Sequence, residues 1–307
     1  MTGELLTYIA IFAVSLFALL KASDFFVAAA EKIGLSFGIP PFIIGVTVVA
    51  FGTSLPELAS SVAAVLEGSS DIVIGNVVGS NIANVGLVLG LVAIIGKEIK
   101  VHETIMYADI PLLVLSAFLL WFVVYDGKVT IFEAIFLLIA LVIFLAHSLT
   151  GNEDEVVDRP KVTWQTIVML IASAVVIKFG ADYTVLGIVK LSGLMGIGSA
   201  VIAQSLVALG TSLPEVFVSI AAIKKGQTDM AVGNVLGSNI FNTYAVMAIP
   251  AFVGPLVIPA AVLQFSLPFM IALTIALAVM CISKTICRWE GYMLILFYIF
   301  FLVKLFV

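Results

Sequence analysis

Charge is what this sequence has least of. Lys, Arg, Asp and Glu make up 11% of 307 residues, less than half the ~25% of an ordinary soluble domain. With 14 basic and 19 acidic side chains, a chain this long cannot cover itself with polar surface. Cysteine is nearly missing as well. Cys281 and Cys287 are too few for a disulfide framework or a thiolate metal cluster. With 2 histidines and a net charge of −5, no basic stripe remains for nucleic acid. A removable signal peptide is not expected, because Glu4 stands where a basic leader should begin and the first apolar run is too long. What fills the sequence instead is apolar: 63% hydrophobic residues and a mean hydropathy of +1.27. The chain reads as an integral membrane protein.

A spanning helix needs about 20 mainly apolar residues. Such runs lie at about 5–28, 39–66, 71–95, 104–125, 129–149, 163–190, 196–223, 229–253, 258–282 and 289–307, predicting ten transmembrane helices. They are helices because a spanning backbone must satisfy its own hydrogen bonds. The runs are too apolar and unbroken for the alternating strands of a membrane barrel. The predicted fold class is therefore an all-α membrane protein. Glu153, Asp154, Glu155, Asp158 and Arg159 mark one polar stretch, a linker at 151–162 between residues 1–150 and 163–307. If the spans alternate sides, Lys32, Lys97, Lys100, Arg159, Lys161, Lys224, Lys225, Lys284 and Arg288 share one face. Lys128, Lys190 and Lys304 share the other, while Lys21 and Lys178 roughly cancel. Positive charge gathers on the cytoplasmic side. This predicts a cytoplasmic linker, both termini outside and residence in the cell membrane.

The two halves repeat. GTSLPE occurs at 52–57 and again at 210–215, and GSNI at 79–82 and 237–240, each pair 158 residues apart. Over 45–84 against 203–242 there are 21 identities in 40 positions, and the same offset pairs Asp24 with Asp182. Five spans per half is an odd number, so the copies should face opposite ways across the bilayer. Inverted repeats of this kind build secondary transporters with a site near the midplane.

The chemistry concentrates in the repeats. Glu57 and Glu215 fall inside the second and seventh spans, where a carboxylate costs from ~2.5 to more than 10 kcal/mol. No Lys or Arg lies in the two spans that hold these acids, which leaves a bound cation or a proton as the partner. The alternative is a pair of protonated, hydrogen-bonded acids serving structure. Pro56 and Pro214 should free carbonyls near Gly52–Thr53 and Gly210–Thr211. Thr53, Glu57 and Ser61 recur at intervals of four, as do Thr211, Glu215 and Ser219, so their oxygens share a face. Carboxylates, carbonyls and hydroxyls suit hard cations such as Ca²⁺ or Na⁺ rather than zinc or copper. A second stripe joins Asn76, Ser80 and Asn84, matched by Asn234, Ser238 and Asn242. Interhelical hydrogen bonding is its plainer explanation. Asn76, Asn81, Asn234 and Asn239 in particular suit packing and capping. Gly75, Gly79, Gly233 and Gly237 should admit close neighbours. Asp24 and Asp182 read as solvated or capping residues. Glu133 and Asp109 read as structural, without repeat partners, and His102 and His147 receive no role.

With GTSLPE and GNVVGSNIAN in one half, and GTSLPE and GNVLGSNIFN in the other, the sequence resembles the sodium/calcium exchanger family of the cation/Ca²⁺ exchanger superfamily. It looks like a short prokaryotic-type member, since the long regulatory loop of animal exchangers is absent. The resemblance covers the whole chain. It implies a core of spans two, three, seven and eight, with the first and sixth sliding past it. It assigns Ca²⁺ to the carboxylates of Glu57 and Glu215 and the carbonyls of Thr53 and Thr211. Flanking Na⁺ sites would use Ala50, Ser54, Ser80 and Glu57 on one side, and Ala208, Ser212, Ser238 and Glu215 on the other. Asn84 and Asn242 would border a middle position.

Two residues depart from the family pattern. Asn242 stands where such exchangers often carry Asp, and Gln204 stands opposite Val46 of the first repeat. The expected activity is electrogenic Na⁺/Ca²⁺ antiport by alternating access, in the lipid bilayer, with no cofactor, no ATP and no obligatory protein partner. A proton- or K⁺-dependent exchanger of the same fold is the alternative. A cation channel is disfavoured by antiparallel halves, and an intramembrane enzyme by the lack of a suitable catalytic pair.

Overall fold

The computed structural model describes residues 2–66, 68, 70–101, 105–150, 160–194, 210 and 212–306. Nearly all of them are helical. In chain order the helices are α1 (Thr2–Ser36), α2 (Pro41–Leu66), α3 (Asp71–Gly96), α4 (Ile105–Val124) and α5 (Ile131–Thr150). They continue as α6 (Trp164–Leu194), α7 (Leu213–Lys224), α8 (228–251), α9 (Val262–Cys281) and α10 (Arg288–Phe306). Among the described residues, 7 helical stretches are long and apolar enough to cross a bilayer, in α1 to α6 and α9. The seventh expected span, 196–223, is described from Ser212 onward apart from Gly210, and the expected linker is described from Pro160.

Helix ends depart from the apolar runs where hydrogen bonding outlasts hydropathy. The first run was expected to end near residue 28, yet α1 continues through Glu31 and Lys32 to Ser36. Gly38, at φ 74°, then reverses the chain, and Pro40 and Pro41 open α2. Gly68 and Gly226 sit at φ 78° and 77° after α2 and α7, the same turn in both halves. A side chain there would strain the backbone.

Four helices form the centre: α2, α3, α7 and α8 touch one another in every pairing. Glycines bring two of them together at backbone distance. A methyl group on Gly45 would meet the Met230 carbonyl oxygen at 2.4 Å, and one on Gly237 would meet that of Val46 at 2.4 Å. Around this centre α10 packs on α3 as α5 packs on α8, while α4 pairs with α9 and α1 with α6. Moving five helices along the chain maps each of these contacts onto its counterpart.

Irregularities repeat too. Hydrogen bonding widens to i→i+5 at Gly45–Val49, Asn84–Leu89, Ile105–Asp109, Asn242–Val246 and Val262–Ser266. Such wide turns inside α-helices often mark functional positions. Two short antiparallel ribbons also form. β1 (Glu98–Lys100) pairs with β4 (Thr285–Cys287), placing Ile99 opposite Ile286. β2 (Lys128–Val129) pairs with β3 (Leu256–Val257). Exchanging each strand for its equivalent in the other half turns one ribbon into the other.

Glu133 has a repeat partner after all. It caps α5 by accepting from the Thr130 backbone N–H at 2.7 Å, and Glu290 caps α10 by accepting from that of Cys287 at 2.7 Å. The pair is 157 residues apart rather than 158, because the second half is one residue shorter beyond its repeat. Its structural role stands.

Candidate functional site

The polar residues of the repeats meet where α2, α3, α7 and α8 cross. Glu57 is 1% and Glu215 0% exposed. Ser54 of α2 donates to Oε1 of Glu215 across the two halves at 3.3 Å. The Thr53 hydroxyl lies 3.4 Å from that of Ser238 and donates to Oδ1 of Asn234 at 3.2 Å. Ala50 follows the wide turn of α2, beside Gly237. Asn84 opens the wide turn of α3, which packs on α7 and α8, and Asn242 opens that of α8, which packs on α2 and α3. Ser80 and Ser212 are buried as well. Ten of the twelve candidate residues therefore belong to these four helices or their immediate flanks. The other two, Thr211 and Ala208, lie outside the described residues, as does Gln204.

The two prolines sit in different backbone settings. In α2 the helix Ala50–Leu66 runs unbroken through Pro56, and the irregularity sits upstream at Gly45–Val49. Pro56 still deprives the Gly52 carbonyl of its helical donor, since proline has no N–H. In the second half Ser212 is non-helical (φ −89°, ψ 1°), and Pro214 lies in the first turn of α7.

Many of these buried atoms have no hydrogen-bond partner among the described residues. They include both carboxyl oxygens of Glu57, Oε2 of Glu215, both side-chain atoms of Asn84 and Asn242, and the Ser212 hydroxyl. A buried neutral polar atom left unpaired costs about 1–3 kcal/mol, and a charged one more. The ion pairs described elsewhere, Lys128–Asp126 and Lys178–Asp182, are exposed. Oxygen dominates the unpaired set, and among the described residues no three His, Cys, Asp or Glu side chains converge. Two carboxylates ringed by neutral oxygens fit a hard cation and suit zinc or iron poorly.

Comparison with known proteins agrees with this chemistry. Residues 7–150 and 165–307 match the family described as "Sodium/calcium exchanger protein". The chain belongs to the sodium/calcium exchanger family. Sodium/calcium exchanger MaX1 of Methanosarcina acetivorans is 35% identical, over 94% of this chain and 95% of that protein. Inner membrane protein YrbG of Escherichia coli is 32% identical, over 89% and 88%. The sodium-calcium exchanger NCX_Mj, in the form soaked with zero Na⁺ and Ca²⁺, superposes with a TM-score of 0.87 at 32% identity. That match covers 98% of this chain and 99% of the other. The protein is thus a multi-pass integral membrane transporter of the exchanger family.

Within this exchanger fold the remaining candidates find ordinary roles. Asp182 pairs with Lys178 at 2.7 Å on the surface of α6. Asp24 is half-buried and accepts from Lys225 through its backbone carbonyl. Asp109 is buried in the opening wide turn of α4. His147 lies in the last turn of α5, and His102 lies outside the described residues. Packing alone undersells two asparagines. Asn76 donates to the Ser61 hydroxyl at 3.0 Å and the Glu57 carbonyl at 3.2 Å, and Asn234 donates to the Ser219 hydroxyl at 2.9 Å. Their spacing of four from Ser80 and Ser238 was the available signal.

Proposed function

We propose that this exchanger moves Na⁺ and Ca²⁺ in opposite directions through one cavity by alternating access. The observation that carries the reading is the set of oxygens on the buried Glu57 and Glu215 that are unpaired among the described residues, with Ser54 of α2 reaching Glu215 across the halves. Glu57, Glu215 and the carbonyls of Thr53 and Thr211 bind Ca²⁺. Ala50, Ser54 and Ser80 with Glu57, and Ala208, Ser212 and Ser238 with Glu215, bind Na⁺, and Asn84 and Asn242 border the middle. Two carboxylates neutralise one Ca²⁺ or two Na⁺. A third Na⁺ therefore travels as net charge and makes exchange electrogenic. With no ion bound, two buried like charges oppose the switch between faces.

The ten helices form two inverted repeats, 1–150 and 163–307, joined by the cytoplasmic linker 151–162. The mirrored ribbons, paired wide turns and matched contacts support this arrangement. Charge supports its orientation in the cell membrane, with both termini outside. Lys97, Lys100, Lys284 and Arg288 gather at the β1–β4 ribbon, whereas the β2–β3 ribbon has Lys128, which lies 4.0 Å from Asp126. α1 and α6 are the sliding pair. They are joined by the Thr184–Ser15 hydroxyl contact at 3.0 Å and by close approach at Gly180 and Gly187.

The test is Na⁺-driven ⁴⁵Ca²⁺ flux in proteoliposomes. Glu57→Gln and Glu215→Gln should each abolish it, and full flux in both would refute the site. A second reading keeps the cavity and changes the driving ion to H⁺ or K⁺, with Asn242 in place of an acid as its motive. Ca²⁺ flux driven by a pH or K⁺ gradient without Na⁺ would establish that reading instead.

A further inference from the structure

We infer that Asn234, outside the ion-ligand set, is a positioning residue that fixes the spacing of the two acid-bearing helices; the inference rests on the ion-site reading above. Asn234 is fully buried on α8. Its Oδ1 accepts from the Thr53 hydroxyl of α2 at 3.2 Å, and its Nδ2 donates to the Ser219 hydroxyl of α7 at 2.9 Å. Thr53 stands one helical turn before Glu57, and Ser219 one turn after Glu215. One carboxamide thus ties the turn beside one acid to the turn beside the other, across the two halves.

The backbone around Asn234 holds it in place along α2. A methyl group on Gly233 would meet the Phe42 carbonyl oxygen at 2.4 Å, and one on Gly237 that of Val46 at 2.4 Å. With α8 pressed against α2 on both sides, the side chain cannot follow α7 without breaking a bond to Thr53. Its repeat mate Asn76 spends its amide N–H groups on Ser60, Ser61 and the Glu57 carbonyl, all on α2, and among the described residues its Oδ1 has no partner. Asn234 bridges the halves, whereas the described bonds of Asn76 stay within one. Calcium–oxygen distances span only about 2.3–2.6 Å, so a small change in helix spacing costs affinity. Outer-shell partners of metal ligands carry effects of roughly 10–100-fold.

The experiment measures initial rates of Na⁺-driven ⁴⁵Ca²⁺ uptake against Ca²⁺ and Na⁺ concentration, with melting temperature alongside. Asn234→Leu, close in size but unable to hydrogen-bond, should raise the half-saturating concentration of both ions roughly tenfold. The maximal rate should stay within about twofold of wild type, which a merely structural residue would not arrange. Thr53→Val, which keeps the backbone carbonyl, should add nothing further in the Asn234→Leu background. An unshifted half-saturation, or additive effects of the two changes, would overturn the positioning role. If Asn234→Leu does not fold, Thr53→Val and Ser219→Ala carry the test. Each should raise half-saturation and the double variant should not exceed the larger, whereas additivity overturns the role. Glu57→Gln separates the two ideas. Retained flux there removes the ion site itself, while lost flux with unshifted Asn234→Leu removes only the positioning role.

Discussion

The four central helices and the α1–α6 pair solve opposite problems with the same residue types. In α3, 78% of the most apolar window is buried inside the protein, and in α2, 56%; in α1 the share is 17% and in α6, 28%. The centre buries carboxylates, amides and hydroxyls, so each of its helices must be placed to within tenths of an ångström. The pair turns Phe17, Phe25, Phe179 and Tyr183 outward, where lipid solvates them, and little of it has to fit. Glycine shows the contrast. In the centre a methyl group on Gly45, Gly233 or Gly237 would meet a backbone carbonyl oxygen at 2.4 Å, whereas one on Gly180 of α6 would meet Leu19 of α1 no closer than 3.1 Å. A tight centre and a more exposed pair suit the proposed sliding of α1 and α6 past the site.

The largest expected effect breaks the contrast at the acids. Glu57→Gln and Glu215→Gln should reduce exchange to background without lowering stability in ion-free buffer, since each removes a buried unpaired charge. Calcium at a hundred times its dissociation constant should stabilise wild type by about 2.7 kcal/mol and the double variant not at all, read as a melting shift. Next comes packing. Gly237→Ala forces a methyl group onto a backbone carbonyl and should cost about 1–3 kcal/mol or more of stability. Gly180→Ala offsets its crowding with helix propensity worth about 1 kcal/mol and should be nearly neutral. Equal losses at the two sites would erase the distinction between centre and pair.

A smaller effect concerns the clasp between the pair and the centre. Beyond α7, Lys225 donates to the Asp24 carbonyl and Gln227 to the Glu31 carboxylate, both on α1. The repeat equivalents of Lys225, Gln227 and Glu31 are Glu67, Ser69 and Val189, which cannot reproduce those bonds. Gln227→Ala should therefore shift the balance of the two facing states by the worth of one hydrogen bond, about 0.5–1.5 kcal/mol. Accessibility of an introduced cysteine to a membrane-impermeant reagent from each side would read it. No shift would mean that the clasp is not part of the cycle.

The pieces legible in the sequence were those that disturb a uniform background. Glu57 and Glu215 stand out because an acid among apolar residues has no cheap explanation, and the duplicated GTSLPE and GSNI mark both copies. Helix ends were less legible. Glu31 and Lys32 interrupt the apolar run of α1, but they cost a helix nothing where its end reaches water. The wide turns at Asn84 and Asn242 shift hydrogen bonding by one residue and leave no mark in composition. Glu133 and Glu290 were hidden from each other by a one-residue shortening. The bridge from Thr53 through Asn234 to Ser219 joins residues 181 and 15 apart in sequence. Only the fold brings them together.

The central claim is that mirrored acids share the transported cations. Anomalous diffraction from crystals soaked in Ca²⁺ or Sr²⁺ tests it most directly. A peak within coordination distance of both Glu57 and Glu215, displaced by added Na⁺, is the predicted result. A peak elsewhere, or none beside carboxylates that stay apart, would contradict it.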